Sequence, residues 1–113
     1  MTANRRRGEI EAELDGKAYR LCLTLGSLAE LEAAYAADDL GALVERFSRG
    51  RLSALDMIRV IGAGLRGGGN DISDDEVGEM RSEGGAAGFA AVVSDLLTTT
   101  LGAARSEAQP PNP

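Results

Sequence analysis

The stretch Glu9-Ile-Glu-Ala-Glu-Leu-Asp-Gly-Lys-Ala-Tyr-Arg-Leu-Cys22 decides the fold. From Glu9 to Leu14 acidic and apolar residues alternate strictly. A strand there places Ile10, Ala12 and Leu14 on one face and three carboxylates on the other. Asp15-Gly16 follows, a dipeptide that readily supplies the two positive φ angles of a type I′ hairpin turn, and an extended pattern resumes over residues 17–25. A two-residue turn sets the register: Leu14 opposite Lys17, Ala12 opposite Tyr19, Ile10 opposite Leu21, and on the other face Glu11 opposite Arg20 as a charge pair. Both faces agree with one hairpin. Two strands cannot stand alone in water and leave two open edges, so the remaining chain must pack against them.

That remaining chain reads as helices. Ser27 with Glu30 three residues later is a capping-box pattern ahead of an apolar stripe of Leu28, Leu31 and Tyr35. Asp38 or Asp39 caps a second helix carrying Leu40, Leu43, Val44 and Phe47, which Gly50 is placed to end. Ser53 with Asp56 starts a third, whose Leu55, Ile58, Ile61, Gly62 and Leu65 share a face. Arg66-Gly67-Gly68-Gly69-Asn70 is expected to break it, because consecutive glycines lose too much backbone freedom in a helix. Ser73 with Glu76 opens a short helix with Val77 and Met80, ending by Gly84-Gly85, and the last helix spans about residues 86–101. The expected fold is therefore α+β, an N-terminal two-stranded antiparallel β-hairpin packed on about five short helices. Residues 1–8 read as a basic N-terminal arm that is solvated and frayed, 9–101 as a single domain, and 102–113 as a disordered Pro-rich tail.

Composition narrows the function. Apolar residues form 43% of the 113 and aromatics 4%, so the core rests on Leu, Ile, Val and Ala. Removing the triplet Arg5, Arg6 and Arg7 from the formal charge of −6 leaves the rest at −9, which repels phosphate and argues against nucleic acid as a partner. Cys22 is the one cysteine, so no intramolecular disulfide and no Cys-based metal cluster forms. No apolar run approaches the roughly 20 residues of a membrane span, and no signal core follows the basic N-terminus, which predicts a cytoplasmic protein without membrane contact.

Chemical motifs are weak. There is no His, and the serines are spent largely on helix caps, which disfavours an enzyme. Gly62-Ala-Gly-Leu-Arg-Gly67 spells the dinucleotide fingerprint but closes a helix instead of following a strand, so no cofactor is expected. Asp71, Ser73 and Asp75 have calcium-loop spacing, yet Glu76 stands where that loop needs glycine, so no metal is expected. Adjacent acids at Asp38-Asp39 and Asp74-Asp75 are explained by helix macrodipoles, and Cys22 by packing within a strand.

Asn4-Arg-Arg-Arg-Gly-Glu9, Leu23-Thr-Leu-Gly-Ser-Leu-Ala-Glu-Leu-Glu32, Gly50-Arg-Leu-Ser53, Ala63-Gly-Leu-Arg-Gly-Gly-Gly69 and Ile72-Ser-Asp-Asp-Glu-Val77 occur in this order. Together they resemble the gene transfer agent family of small tail proteins, over roughly residues 4–85. Members are encoded among the tail genes of phage-like particles and are described as tail assembly chaperones or as tail tube proteins. The resemblance implies no catalytic residue. It implies a chaperone that keeps the tape measure protein soluble during tail assembly, with a structural tail tube component as the alternative. Other tail proteins and a homo-oligomer are the further expected partners. On the last helix, Phe89, Val92, Val93, Leu96, Leu97 and Leu101 make a stripe broader than one core face needs, so Val92, Val93, Leu96 and Leu97 are the expected partner-binding residues.

Overall fold

The computed structural model describes residues 3–49 and 51–102. Alternation in the opening stretch becomes β1 (Glu9–Leu14) and β2 (Lys17–Cys22), paired antiparallel with Leu14 opposite Lys17, Ile10 opposite Leu21 and Glu11 opposite Arg20. Asp15 and Gly16 make the turn with φ of 53° and 74°, the two left-handed residues that a type I′ turn demands. Ile10, Ala12, Leu14 and Leu21 enter the core. Glu9 departs from the alternation: it is buried, and its carboxylate accepts a 2.9 Å hydrogen bond from Asn4 N. Residues Arg5–Arg7 form a 3-10 turn instead of a frayed arm, and Arg5 pairs with Asp95 at 2.6 Å.

Helix α1 (Leu25–Tyr35) is capped by Thr24 and not by Ser27: Thr24 Oγ1 accepts from Ser27 N at 3.1 Å. Both residues are good caps in isolation. The earlier start prevails because it puts Leu28 and Leu31 in the core and lets the buried Ser27 hydroxyl donate to Ala63 O at 3.0 Å. Glu30, expected to close the capping box, instead pairs with Arg66. Leu25, expected in the strand, becomes the first residue of the helix and is 81% exposed. Helix α2 (Leu40–Ser48) is capped by Asp39, and its Leu43 is buried. Gly50, the expected end of α2, lies outside the described residues, as do residues 103–113 of the expected tail.

Helix α3 (Ala54–Gly67) runs through the middle of the fold and packs on α1, α4, α5 and β2. Ser53 and Asp56 form its capping box. Val60, Ile61, Ala63 and Leu65 are buried, while Leu55, read as part of the inner face, is 52% exposed in the first turn. The glycines at its end serve close approach more than breakage. A Cβ on Gly67 would overlap Cys22 O, and one on Gly68 would overlap Arg20 O, so the end of α3 lies directly on the β2 backbone. Arg20 donates to Gly68 O at 3.2 Å and Asn70 Nδ2 donates to Arg20 O at 2.8 Å, which covers the β2 edge that the sequence leaves open.

Helix α4 (Asp74–Gly78) has its Ser73–Glu76 capping box and stops at Gly78, short of the Gly84-Gly85 end read from sequence. Helix α5 (Gly85–Leu97) packs on α3 and β1 and passes into a turn of π-helix at Thr98–Gly102. Among the described residues, then, five α-helices and a two-stranded antiparallel hairpin share one core, an α+β fold.

Candidate partner-binding surface

The expected surface on α5 divides in two. Val93 and Leu96 are fully buried at 0% exposure, while Val92 and Leu97 are half-buried against the core. The stripe is broad because α5 meets α3 on one side and β1 on another, so its breadth is used by the core. Val93 and Leu96 are therefore core residues and cannot meet a partner in the folded chain.

Accessible apolar surface lies elsewhere. A cleft of ≈ 170 Å³ opens between the first half of α3, α4 and the start of α5. Its walls are Met57, Ile58 and Ile61 from α3, Val77 and Gly78 from α4, Met80 beyond it, and Phe89 from α5, with Ala54 and Ala86 also lining it. A void near 150 Å³ admits a benzene-sized group, so this one takes a single large apolar side chain. Two methionines give it walls that adapt to different occupants. Ala54 and Ala86 are exposed. Sequence periodicity missed the cleft because its walls come from three helices and the segment after α4; the available signal was Met57 in α3 and Met80 just beyond α4.

Polar clusters elsewhere hold the helices together. Tyr35 Oη donates to Asp56 Oδ1 at 2.6 Å, the Arg46 guanidinium lies 4.3 Å from the Tyr35 ring centre, and Phe47 meets that ring edge-on at 5.4 Å. Burial and the hydrogen bond to Asp56 push the Tyr35 hydroxyl up to about 12. Burial alone would raise Asp56, but hydrogen bonds from Tyr35 and Ser53 and the charge of Arg46 outweigh it and hold the carboxyl below its usual range. Arg66 joins three elements, pairing with Glu30 of α1 and, at 3.1 Å, with Asp74 of α4, and donating to Ile72 O at 2.9 Å. Burial and the charge of Glu9 push the Cys22 thiol up, away from a reactive thiolate. Among the described residues no group of His, Cys, Asp or Glu could hold a metal ion, and no helix is long and apolar enough to cross a membrane.

The arrangement offers apolar contact at the cleft. No curated protein and no solved structure gives a significant match to the chain. Residues 7–103 match the family described as phage tail tube protein, GTA-gp10, a span from the turn before β1 to beyond α5. With every described element from the hairpin onward inside that span, the chain belongs to this family of phage tail proteins.

Proposed function

We propose that the protein acts in phage-like tail assembly by holding an apolar helix of the tape measure protein in the α3–α4–α5 cleft, and that it catalyses no reaction. The observation that carries this is the cleft itself: an open apolar hollow sized for one anchor side chain and walled in part by two methionines. An amphipathic helix laid in such a groove places one or two anchors that supply most of the affinity.

A second reading, a structural subunit of the tail tube, is favoured by the wording of the family description. Against it, a tube built on an extended β framework asks for more strand than the single hairpin among the described residues. Co-expression with the tape measure protein tests the first reading. Wild type should keep that protein soluble, and Ala86→Arg, which fills the cleft mouth from an exposed position, should fail while remaining folded by circular dichroism. Equal solubilisation by a folded Ala86→Arg variant would overturn the reading, and recovery of the protein from finished particles at tube-like copy number would replace it with the second.

A further inference from the structure

The cleft has an apolar floor and an acidic rim. Gly78 marks where α4 comes down on α3: a Cβ added to it would stand 3.6 Å from Ile58 Cδ1. Asp75 lies three residues before Gly78, on the same side of α4, and Glu79 directly follows it. Both are exposed, and neither takes part in an ion pair among the described residues. Glu76 differs, because its carboxylate accepts from Ser73 N at 3.0 Å and is used by the capping box. No basic residue stands in the last turn of α4, so the negative end of its dipole adds to the two carboxylates.

The bases of this region are committed elsewhere. Between residues 67 and 102 Arg81 is the one basic residue, and it shares the hollow under the hairpin turn with Glu13, Asp15 and Glu83. Two backbone contacts with Asp15 hold it there. On α3 the Arg59 guanidinium lies 5.3 Å from the ring centre of Tyr35, toward α1. Arg66 is paired with Glu30 and Asp74. Arg51 precedes the Ser53 cap, three residues before Ala54 on the opposite lip of the cleft.

We infer that the segment held in the cleft is a cationic amphipathic helix: one bulky apolar anchor fills the hollow, and Lys or Arg one helical turn from the anchor meets Asp75 and Glu79. This rests on the reading of the cleft as the tape measure site and adds the chemistry of the segment it selects. A turn of helix advances about 5.4 Å, so bases three or four residues from the anchor stand beside it on the same face. Their apolar stems cover the lip while their charges reach the rim. An apolar helix without such bases gains the floor but not the rim, and an acidic one is repelled. The rim therefore selects among the apolar segments of a long partner.

Binding of the full chain to the tape measure protein at several salt concentrations tests this. Wild-type affinity should fall about tenfold between roughly 0.05 and 0.5 M NaCl, as screening shortens the reach of the rim charges. Asp75→Lys with Glu79→Lys should weaken binding at low salt about tenfold or more and remove the salt dependence. Asp75→Asn with Glu79→Gln is the milder pair should the first fail to fold, with about a threefold loss. Asp38→Lys with Glu45→Lys makes the same change in net charge at exposed sites outside the cleft lining and should alter affinity about twofold at most. Overlapping tape measure peptides of about 20 residues, some five helical turns, should bind only where Lys or Arg lies within one turn of a bulky apolar residue. A rim variant that binds like wild type, affinity indifferent to salt, or bound peptides that are neutral or acidic would each overturn the inference. Loss of binding in Ala86→Arg alongside an unaffected rim variant would overturn it and leave the proposed function standing, whereas normal binding by a folded Ala86→Arg would overturn both.

Discussion

Tyr35 Oη donates a 2.6 Å hydrogen bond to Asp56 Oδ1, tying the last turn of α1 to the first turn of α3. Tyr35→Phe keeps the ring between Arg46 and Phe47 but removes the donor to a buried carboxylate. A cost of about 1.5–3 kcal/mol is expected, the range of a hydrogen bond to a charged group. Urea unfolding of the two proteins measures it.

The same pair sets the pH limits of stability. Asp56 is held below its usual range in the folded state, so its contribution is present above the ordinary carboxyl value of about 4 and is lost as pH falls through the folded value. Tyr35 is raised to about 12. Its contribution is complete below the unfolded value of about 10 and is lost as pH rises from there to the folded value. Melting temperature should therefore decline below about pH 4 and above about pH 10. Tyr35→Phe should flatten the alkaline decline, and an unchanged slope there would show that another group governs it.

Gly68 should tolerate no side chain. A Cβ there would overlap Arg20 O, which is strand backbone and cannot move aside alone. Gly68→Ala should destabilise by about 1–3 kcal/mol, the cost of overpacking, although alanine is the better helix former. Gly26→Ala is the control: its nearest contact would be Thr24 Oγ1 at 3.7 Å, and it should be neutral or stabilising. Thermal melts of the two variants should move in opposite directions or differ by several degrees.

In the hairpin, Gly16 adopts φ of 74°. Gly16→Val forces a β-branched residue into the left-handed region at a cost of about 1–2 kcal/mol. The loss should extend to the α4–α5 connection, because Asp15 donates its N–H to Arg81 O at 2.8 Å and accepts from Arg81 N at 2.9 Å. Amide exchange at Arg81 faster than in wild type would report that coupling, and an unchanged melting temperature would refute the strain.

Neighbouring valines of α5 should behave oppositely. Val93→Asp buries a charge without a partner and should unfold the chain, since several kcal/mol is comparable with the whole stability of a domain this size. Val92→Asp, at a half-buried site, should leave a cooperative melt. Circular dichroism of both variants decides, and a folded Val93→Asp would place Val93 outside the core.

By itself the sequence determined whatever depends on residues close along the chain. The hairpin register follows from strict alternation and a two-residue turn, and the capping boxes at Ser53 and Ser73 from side chains three residues apart. These interactions close within a few residues, and at these positions no neighbouring residue offers a competing cap or turn. Tertiary structure alone decided the rest, because there local signals compete or have several equivalent uses. Thr24 and Ser27 are both good caps, and the bond from Ser27 to Ala63, 36 residues away along the chain but 3.0 Å away in the adjacent helix, selects the first. A broad stripe on α5 fits a partner or two core faces equally well, and only the packing against α3 and β1 sends Val93 and Leu96 inward. The cleft belongs to no single segment: its walls come from three helices, and its emptiness depends on how their axes meet.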